Sequence, residues 1–226
     1  MHPVTKSMPK WLLPVLGRPF AAIQLDWLEA QGVTRAIVAA GHLKADIDAF
    51  VVREQSTRDI DIVVSDDGEQ LLGTGGGLRK AVVEHAQEAG VLVLYGDSYL
   101  SLDVPALWAA SGGGTLAVMS VYRNDDAWDK SNAAVEGDKV ARFEKGLPDP
   151  LAEGLTYIDY GMSVLPTAVI RDRLPVDQPS DLADLCTALS KEDALGAFVA
   201  TERFYEVGSP QGLAELEAHL QAEQGA

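Results

Sequence analysis

The chain has 226 residues, 47% of them hydrophobic, enough to bury a substantial core within one domain. Its 34 acidic side chains outnumber 18 basic ones, and the net charge of −16 excludes the basic footprint of a nucleic-acid binder and ill suits docking on an anionic membrane. A phosphorylated substrate would need local lysines or a divalent metal to offset that charge.

Lys6 and Lys10 precede a short apolar run that contains Pro14 and ends at Arg18, which is not the pattern of a signal peptide. No stretch approaches the ~18–20 apolar residues of a membrane helix. Cys186 is the sole cysteine, on one helical face with Leu182, Leu185 and Leu189, so it reads as a buried structural thiol. A chain without an internal disulfide fits a reducing compartment, and the expectation is a soluble, cytoplasmic protein.

In chain order, Pro19 to Gln31 is predicted as a helix opened by its proline and closed by Gly32. RAIVAAG is a short buried strand, HLKADIDAFVVRE a helix and DIDIVV a strand. After a glycine-rich break, LRKAVVEHAQEAG is helical, and VLVLYGD is a continuous apolar strand ending on Asp97. Apolar strands alternating with helices predict a parallel sheet covered on both faces. Further on, TLAVMSVY is strand-like and NAAVEGDKVARFEKG reads as a hairpin turning at Gly137 and Asp138. TYIDYGMSVL is another strand; PTAVIRDRL and SDLADLCTALSK are helices; AFVATERFYEVG is one strand; a last helix starts at Pro210. Neither repeats nor a linker divide the chain, so a single domain over residues 1–226 is expected.

In open α/β sheets, ligands bind beyond the carboxyl ends of the strands. In LLGTGGGLRKA, residues Gly73, Thr74, Gly75, Gly76 and Gly77 either bring backbone N–H groups close to a ligand or simply make a tight turn into a helix. The segment is neither a P-loop nor a dinucleotide fingerprint. Asp97, freed by Gly96 after a buried strand, is placed either to hold magnesium or to cap a turn. Glu206, before Gly208 and a proline-started helix, is open to the same two readings. Lys10, after Pro9, and Lys145, ending VARFEK, suit point charges against phosphate, or solvated surface positions. The four histidines are scattered and no serine sits in a G-x-S-x-G elbow. Asp125, Asp126 and Asp129 read as a solvated loop, and Trp27 and Trp108 as core residues.

Taken together, PVTKSMPKWLLPVLGRPF, LLGTGGGLRKA, YGDSYL, WDKSNAAV, RFEKG, TYIDYGMSVL and FYEVGSPQGL resemble, in order and spacing, the sugar-1-phosphate nucleotidyltransferases (NDP-sugar pyrophosphorylases). The resemblance covers essentially the whole chain and leans toward the D-glycero-D-manno-heptose 1-phosphate guanylyltransferase branch. It implies an α/β, Rossmann-like three-layer nucleotidyltransferase (GT-A-like) fold with a mixed, mostly parallel central sheet. It also implies Mg²⁺-dependent transfer from an NTP to a sugar 1-phosphate, giving an NDP-sugar and pyrophosphate. By the same resemblance, Asp97 and Glu206 would hold Mg²⁺, and Lys10 would face the phosphates. Lys145 would bind the sugar phosphate, Glu144, Tyr160 and Gly161 would lie near the sugar hydroxyls, and Gly73 to Gly77 would line the base and ribose. The implied partners are NTP and sugar 1-phosphate, without nucleic acid or membrane; a homo-oligomer stays open.

Two departures stand out. Glu206 occupies a position where the family more often has aspartate. The family also begins with a buried strand followed by G-x-G-T-R, and this sequence holds neither. Omitting a central strand of about 5–6 residues leaves edges that must pair, be covered or aggregate. The expectation is a misassigned start. The alternatives are a variant that binds without turnover, as a sugar-phosphate or nucleotide-binding regulatory domain, or another element in the strand's place.

Overall fold

The computed structural model describes residues 8–41, 43–68 and 70–224. A 3-10 turn at Lys10–Leu12 leads to a hairpin of β1 (Pro14–Val15) and β2 (Arg18–Pro19), turning through Leu16 and Gly17 at φ of 48° and 79°. Those positive angles are what a two-residue hairpin needs and explain the glycine. There follow α1 (Phe20–Ala30), β3 (Arg35–Ala40), α2 (Lys44–Gln55), β4 (Asp61–Asp66), α3 (Gly73–His85) and β5 (Gly90–Leu94). Then come β6 (Ser98–Tyr99), α4 (Val104–Ala110), β7 (Val118–Arg123), β8 (Ala133–Glu136), β9 (Lys139–Phe143) and β10 (Tyr157–Pro166). The chain ends with α5 (Thr167–Arg173), α6 (Leu182–Lys191), β11 (Gly196–Ala200), β12 (Tyr205–Glu206) and α7 (Pro210–Gln224).

The larger sheet has six strands in the order β5-β10-β7-β11-β9-β8. It is mixed as expected, but most of its neighbours pair antiparallel, whereas β7 and β11 pair parallel. The expected mostly parallel pairing gives way because β10, running backward, separates β5 from β7. A separate parallel pair, β3 with β4, carries the first two buried strands.

Side-chain alternation shows that both sheets share the same helical layers. In β5, Leu92 and Leu94 pack toward α4, with Val104 and Leu107, while Val91 and Val93 join the cluster containing Val82 of α3 and Leu185 of α6. In β3, Ala36 and Val38 pack with Leu25 of α1 and Phe50 of α2, while Ile37 joins the Val82 cluster. The molecule is therefore three layers, helix–sheet–helix, as its sequence implied.

A cleft of about 960 Å³ runs between β3 and β5 in the middle layer, closed by Leu28 and Trp108 on one side and by Leu78 and Val82 on the other. The two strands pair with β4 and β10 respectively, and neither has a second partner among the described residues.

Helix α4 and the stretch AFVATERFYEVG are among the departures from the sequence prediction. Helix α4 was not foreseen, although Asp103 caps it by accepting from Ala106 N at 2.9 Å and Pro105 sits in its first turn. The single strand expected over AFVATERFYEVG is two, β11 in the large sheet and β12 paired with β6, because the chain bends over Thr201–Phe204 to cross to a different partner.

Helix α7 packs Leu216 and Leu220 against Leu13, Val15 and Val207. His219 stacks on Tyr205 with ring centroids 4.4 Å apart, and Glu217 accepts from Leu16 N at 3.0 Å. The same helix thus touches the first hairpin and the last strand.

Candidate active site

Strand β5 ends at Leu94, and Tyr95 N donates to Gly161 O at 3.1 Å, fixing the exit of the chain toward Asp97. Beyond it, β6 pairs antiparallel with β12, with Glu206 opposite Ser98, and Val207 N donates to Asp97 O at 2.9 Å. Backbone pairing alone thus brings two distant carboxylates to one edge. Lys10 comes from the opening 3-10 turn, pinned by Leu13 N donating to Lys10 O at 3.1 Å and by burial of Leu13. Its Nζ reaches Asp97 Oδ2 at 3.0 Å.

The three side chains converge on Gly208. A methyl there would stand 3.8 Å from Glu206 Oε2, 3.8 Å from Lys10 Nζ and 3.9 Å from Asp97 Oδ2. Although Glu206 is exposed overall, crowding of its carboxyl end holds it above the usual carboxylate range; the charges of Asp97 and Asp129 add to this and Lys10 opposes it.

Beside this edge lies a pocket of about 300 Å³. Asp159, Gly161, Asn132, Asp129, Lys145 and Glu206 face it. Asp159 accepts from Tyr95 Oη at 2.9 Å and from Gly161 N at 3.0 Å. Enclosure of its carboxyl group raises its pKa despite those bonds and despite Lys145 nearby. Lys145 Nζ stands 5.7 Å from the Tyr95 ring centroid and 6.0 Å from that of Phe143. Gly161 has φ of 107°, and a methyl there would meet Ser98 Oγ at 3.1 Å, so both conformation and space demand glycine.

A family model described as the MobA-like NTP transferase domain matches residues 5–225. The chain belongs to that family. It is 28% identical over 218 residues to the bifunctional protein GlmU of Chromobacterium violaceum, covering 96% of this chain and 44% of that one. It is 35% identical over 122 residues to GlmU of Paracidovorax citrulli, covering 53% of this chain and 25% of that one. The chain thus spans less than half the length of these curated relatives. Among solved structures, HddC from Yersinia pseudotuberculosis complexed with GMP-PN superposes with a TM-score of 0.78 at 20% identity, over 97% of this chain and 93% of that one. UDP-glucose pyrophosphorylase from Acinetobacter baumannii gives 0.75 at 17% identity, over 96% and 87%. These similarities establish the fold as the nucleotidyltransferase, GT-A-like one.

In this NTP transferase domain, Lys10, Asp97 and Glu206 share one edge, and Lys145 and Gly161 share the adjoining pocket. The remaining expected residues divide. Tyr160 lends the pocket its backbone, but its ring is buried in the core, and its Oη accepts from Ser101 N at 3.2 Å. Strand alternation turns Asp159 and Tyr160 to opposite faces, so the side chain presented to the pocket is that of Asp159 and not that of Tyr160. Glu144 is not among the residues facing the pocket; Arg142 holds its carboxylate at 2.7 and 3.1 Å.

The glycine segment is helix from its first residue, not a break before one. Gly73, Thr74 and Gly77 border the larger cleft. Gly75 and Gly76 lie against another segment: added methyls would meet Ser180 Oγ and Gln178 O, each at 2.7 Å. Thr74 Oγ1 donates to Asp181 Oδ1 at 3.0 Å and accepts from Leu182 N at 2.9 Å. These glycines serve packing as well as any ligand.

Two facing carboxylates fit a hard dication that keeps coordination positions for substrate oxygens. No group of three or more His, Cys, Asp or Glu residues among the described ones forms an all-protein cage. The donor set suits Mg²⁺ completed by phosphate. Cys186 is buried, with its thiol pushed up to about 12, which removes it as a nucleophile. No helix of the described residues is long and apolar enough to cross a membrane.

Proposed function

We propose that this domain transfers a nucleotidyl group from an NTP to a sugar 1-phosphate, with Mg²⁺, releasing an NDP-sugar and pyrophosphate in the cytoplasm. The observation that carries this reading is the convergence of Lys10, Asp97 and Glu206 on Gly208, beside a pocket that presents Lys145 and hydrogen-bonding groups. A phosphate oxygen of the sugar substrate attacks the α-phosphorus of the NTP. The bond from that phosphorus to the β-phosphate oxygen breaks, and pyrophosphate leaves with the electron pair.

The protein contributes position and charge. Asp97 and Glu206 would hold the magnesium ion, which when bound supplies positive charge to the phosphate oxygens. Lys10, paired with Asp97 at 3.0 Å, turns to the NTP phosphates as they arrive. Lys145, held over two aromatic rings and exposed at its end, offers its ammonium to the phosphate of the sugar substrate. Asp159 and Asn132 line the pocket where sugar hydroxyls would donate and accept. HddC complexed with GMP-PN supports placing guanine nucleotides first among the NTPs, and the resemblance of the sequence motifs to the heptose 1-phosphate branch puts a heptose first among the sugars.

A second reading, a regulatory domain that binds sugar phosphate without turnover, rests on the pocket that presents Lys145, Asn132 and Asp159, which offers groups for a sugar phosphate without requiring a nucleotide. Pyrophosphate release with Mg²⁺, crossing the common NTPs with hexose and heptose 1-phosphates, separates the two. Turnover with one pair supports the transferase. Saturable binding of a sugar 1-phosphate with no pyrophosphate from any pair supports the second reading. Neither turnover nor binding refutes both.

A further inference from the structure

Four consecutive residues, Asp129, Lys130, Ser131 and Asn132, face the pocket beside the carboxylate edge. They belong to the connection between β7 and β8, whose shape is set from within. Buried Asn124 donates its Nδ2 to Asp129 O at 2.6 Å and to Ser131 Oγ at 3.1 Å, and its Oδ1 accepts from Trp128 N at 3.2 Å. Asp126 Oδ1 accepts from Ser131 N at 2.8 Å, and its Oδ2 pairs with Lys130 Nζ at 2.9 Å. Bonds inside a loop fix its form, but its placement over a site needs contacts outside it. The base is held to β10, with Asn132 N donating to Tyr157 O at 2.8 Å. The tip is Trp128, an exposed indole.

At the tip the outside contact is a stack. The Arg203 guanidinium lies over the Trp128 ring, 3.5 Å from its centroid, and over the Tyr205 ring at 4.4 Å. Glu215 of α7 orients it, accepting from its Nη2 at 2.6 Å. Tyr205 precedes Glu206 in β12 and stacks on His219. A row of planar groups thus joins the loop tip to the strand that carries Glu206. We propose that the stack of Trp128 on Arg203 is the latch that seats this loop against the pocket, which makes both of them positioning residues for the sugar 1-phosphate. The inference rests on the reading that this pocket takes that substrate. Neither side chain is among those facing the pocket, so both act through Asp129 to Asn132 and not by touching substrate.

A flat guanidinium over an indole gains from both charge and stacking, which a lysine in the same place would not reproduce. Without the stack the loop keeps its internal bonds but spends less time seated. Apparent affinity for a ligand of the pocket then falls by the seated fraction. The NTP side is built on Lys10 and Asp97, and β12 keeps its backbone pairing with β6. The effect is therefore selective: KM for the sugar 1-phosphate rises, while KM for the NTP and kcat at saturation hold. A stack that served stability alone would lower Tm and leave both KM values in place.

The probes are D-glycero-D-manno-heptose 1-phosphate and mannose 1-phosphate, titrated by calorimetry into the full chain and used with GTP in the pyrophosphate assay. Hydrogen exchange over 124–131 reports the loop itself. In Trp128→Ala, Kd and KM for the sugar 1-phosphate should rise about tenfold, with KM for GTP within about twofold of wild type. Exchange in the loop should quicken at least about tenfold while that of β7 holds. Trp128→Phe keeps an aromatic face and should restore binding to within about threefold. Arg203→Ala should match Trp128→Ala, and the double variant should lose no more than either, because the two act as a pair. Three outcomes overturn the latch alone: unchanged sugar binding in Trp128→Ala, equal losses for sugar and GTP, or losses that multiply in the double variant. A wild-type chain that binds neither probe overturns the reading of the pocket, and the latch with it.

Discussion

The two ends of β5 differ sharply. At its carboxyl end, short backbone pairings between β6 and β12 lock Asp97, Glu206 and Lys10 around one glycine. Along its length, the edge facing β3 has no described strand partner, and the layers there are joined through helices. The candidate site is thus mounted beyond the strand's carboxyl end, on a two-stranded pairing outside the six-stranded sheet. Loss of function and loss of fold should therefore be separable by mutation.

The largest effect should come from Asp97→Ala. If the carboxylate edge is the phosphate site, kcat for pyrophosphate release should fall by about a thousandfold. Tm should barely move, because the partly exposed ion pair to Lys10 contributes little to stability. A retained kcat would break the assignment of this edge.

Gly90→Ala acts at the opposite end of the strand. Its added methyl would stand against Gly114 O and overlap that backbone. Overpacking of this kind costs about 1–3 kcal/mol, so Tm should drop by about 3–10 °C. At temperatures where the variant is folded, kcat should stay near wild type. A variant that melts normally but turns over slowly would show that the two ends are coupled.

What could be read from the sequence follows the length and regularity of each signal. Segments α1, β3, α2 and β4 each carry a full apolar pattern, and their types were predictable. The glycines and prolines beside Lys10, Asp97 and Glu206 singled them out but left each open between a ligand role and a plain turn or surface position; only the family resemblance grouped them. Two-residue strands such as β6 and β12 carry no period to detect, so the pairing that assembles the carboxylates was hidden, as was the bend separating β11 from β12. Asp159 was missed for a question of parity. TYIDYGMSVL announces a strand but not which of its faces is buried, and that was fixed by packing of Tyr160 with Tyr122 and Phe204.

The smallest effect concerns the seam between α3 and α6. Asp181 Oδ1 accepts from Ala183 N at 2.9 Å as well as from Thr74, and these bonds, the backbone one foremost, hold its pKa below the ordinary 3.8. A lowered folded-state pKa means stabilisation that is present above 3.8 and lost as pH falls through the lower folded value. Asp181→Asn keeps an acceptor in the same place but removes the charge. Its Tm should be about 1–2 °C lower at pH 7 and converge with wild type in strong acid. Parallel Tm curves at all pH values would remove Asp181 from the acid sensitivity of the fold.

Helix α7 grips the hairpin that follows Lys10 through Leu16, Val15 and Leu13, and the strand of Glu206 through Val207 and Tyr205. It is a brace between two supports, one of which carries a cation and the other a carboxylate of the same edge. Both sides of the candidate edge are thereby held by a helix that contributes none of its three groups.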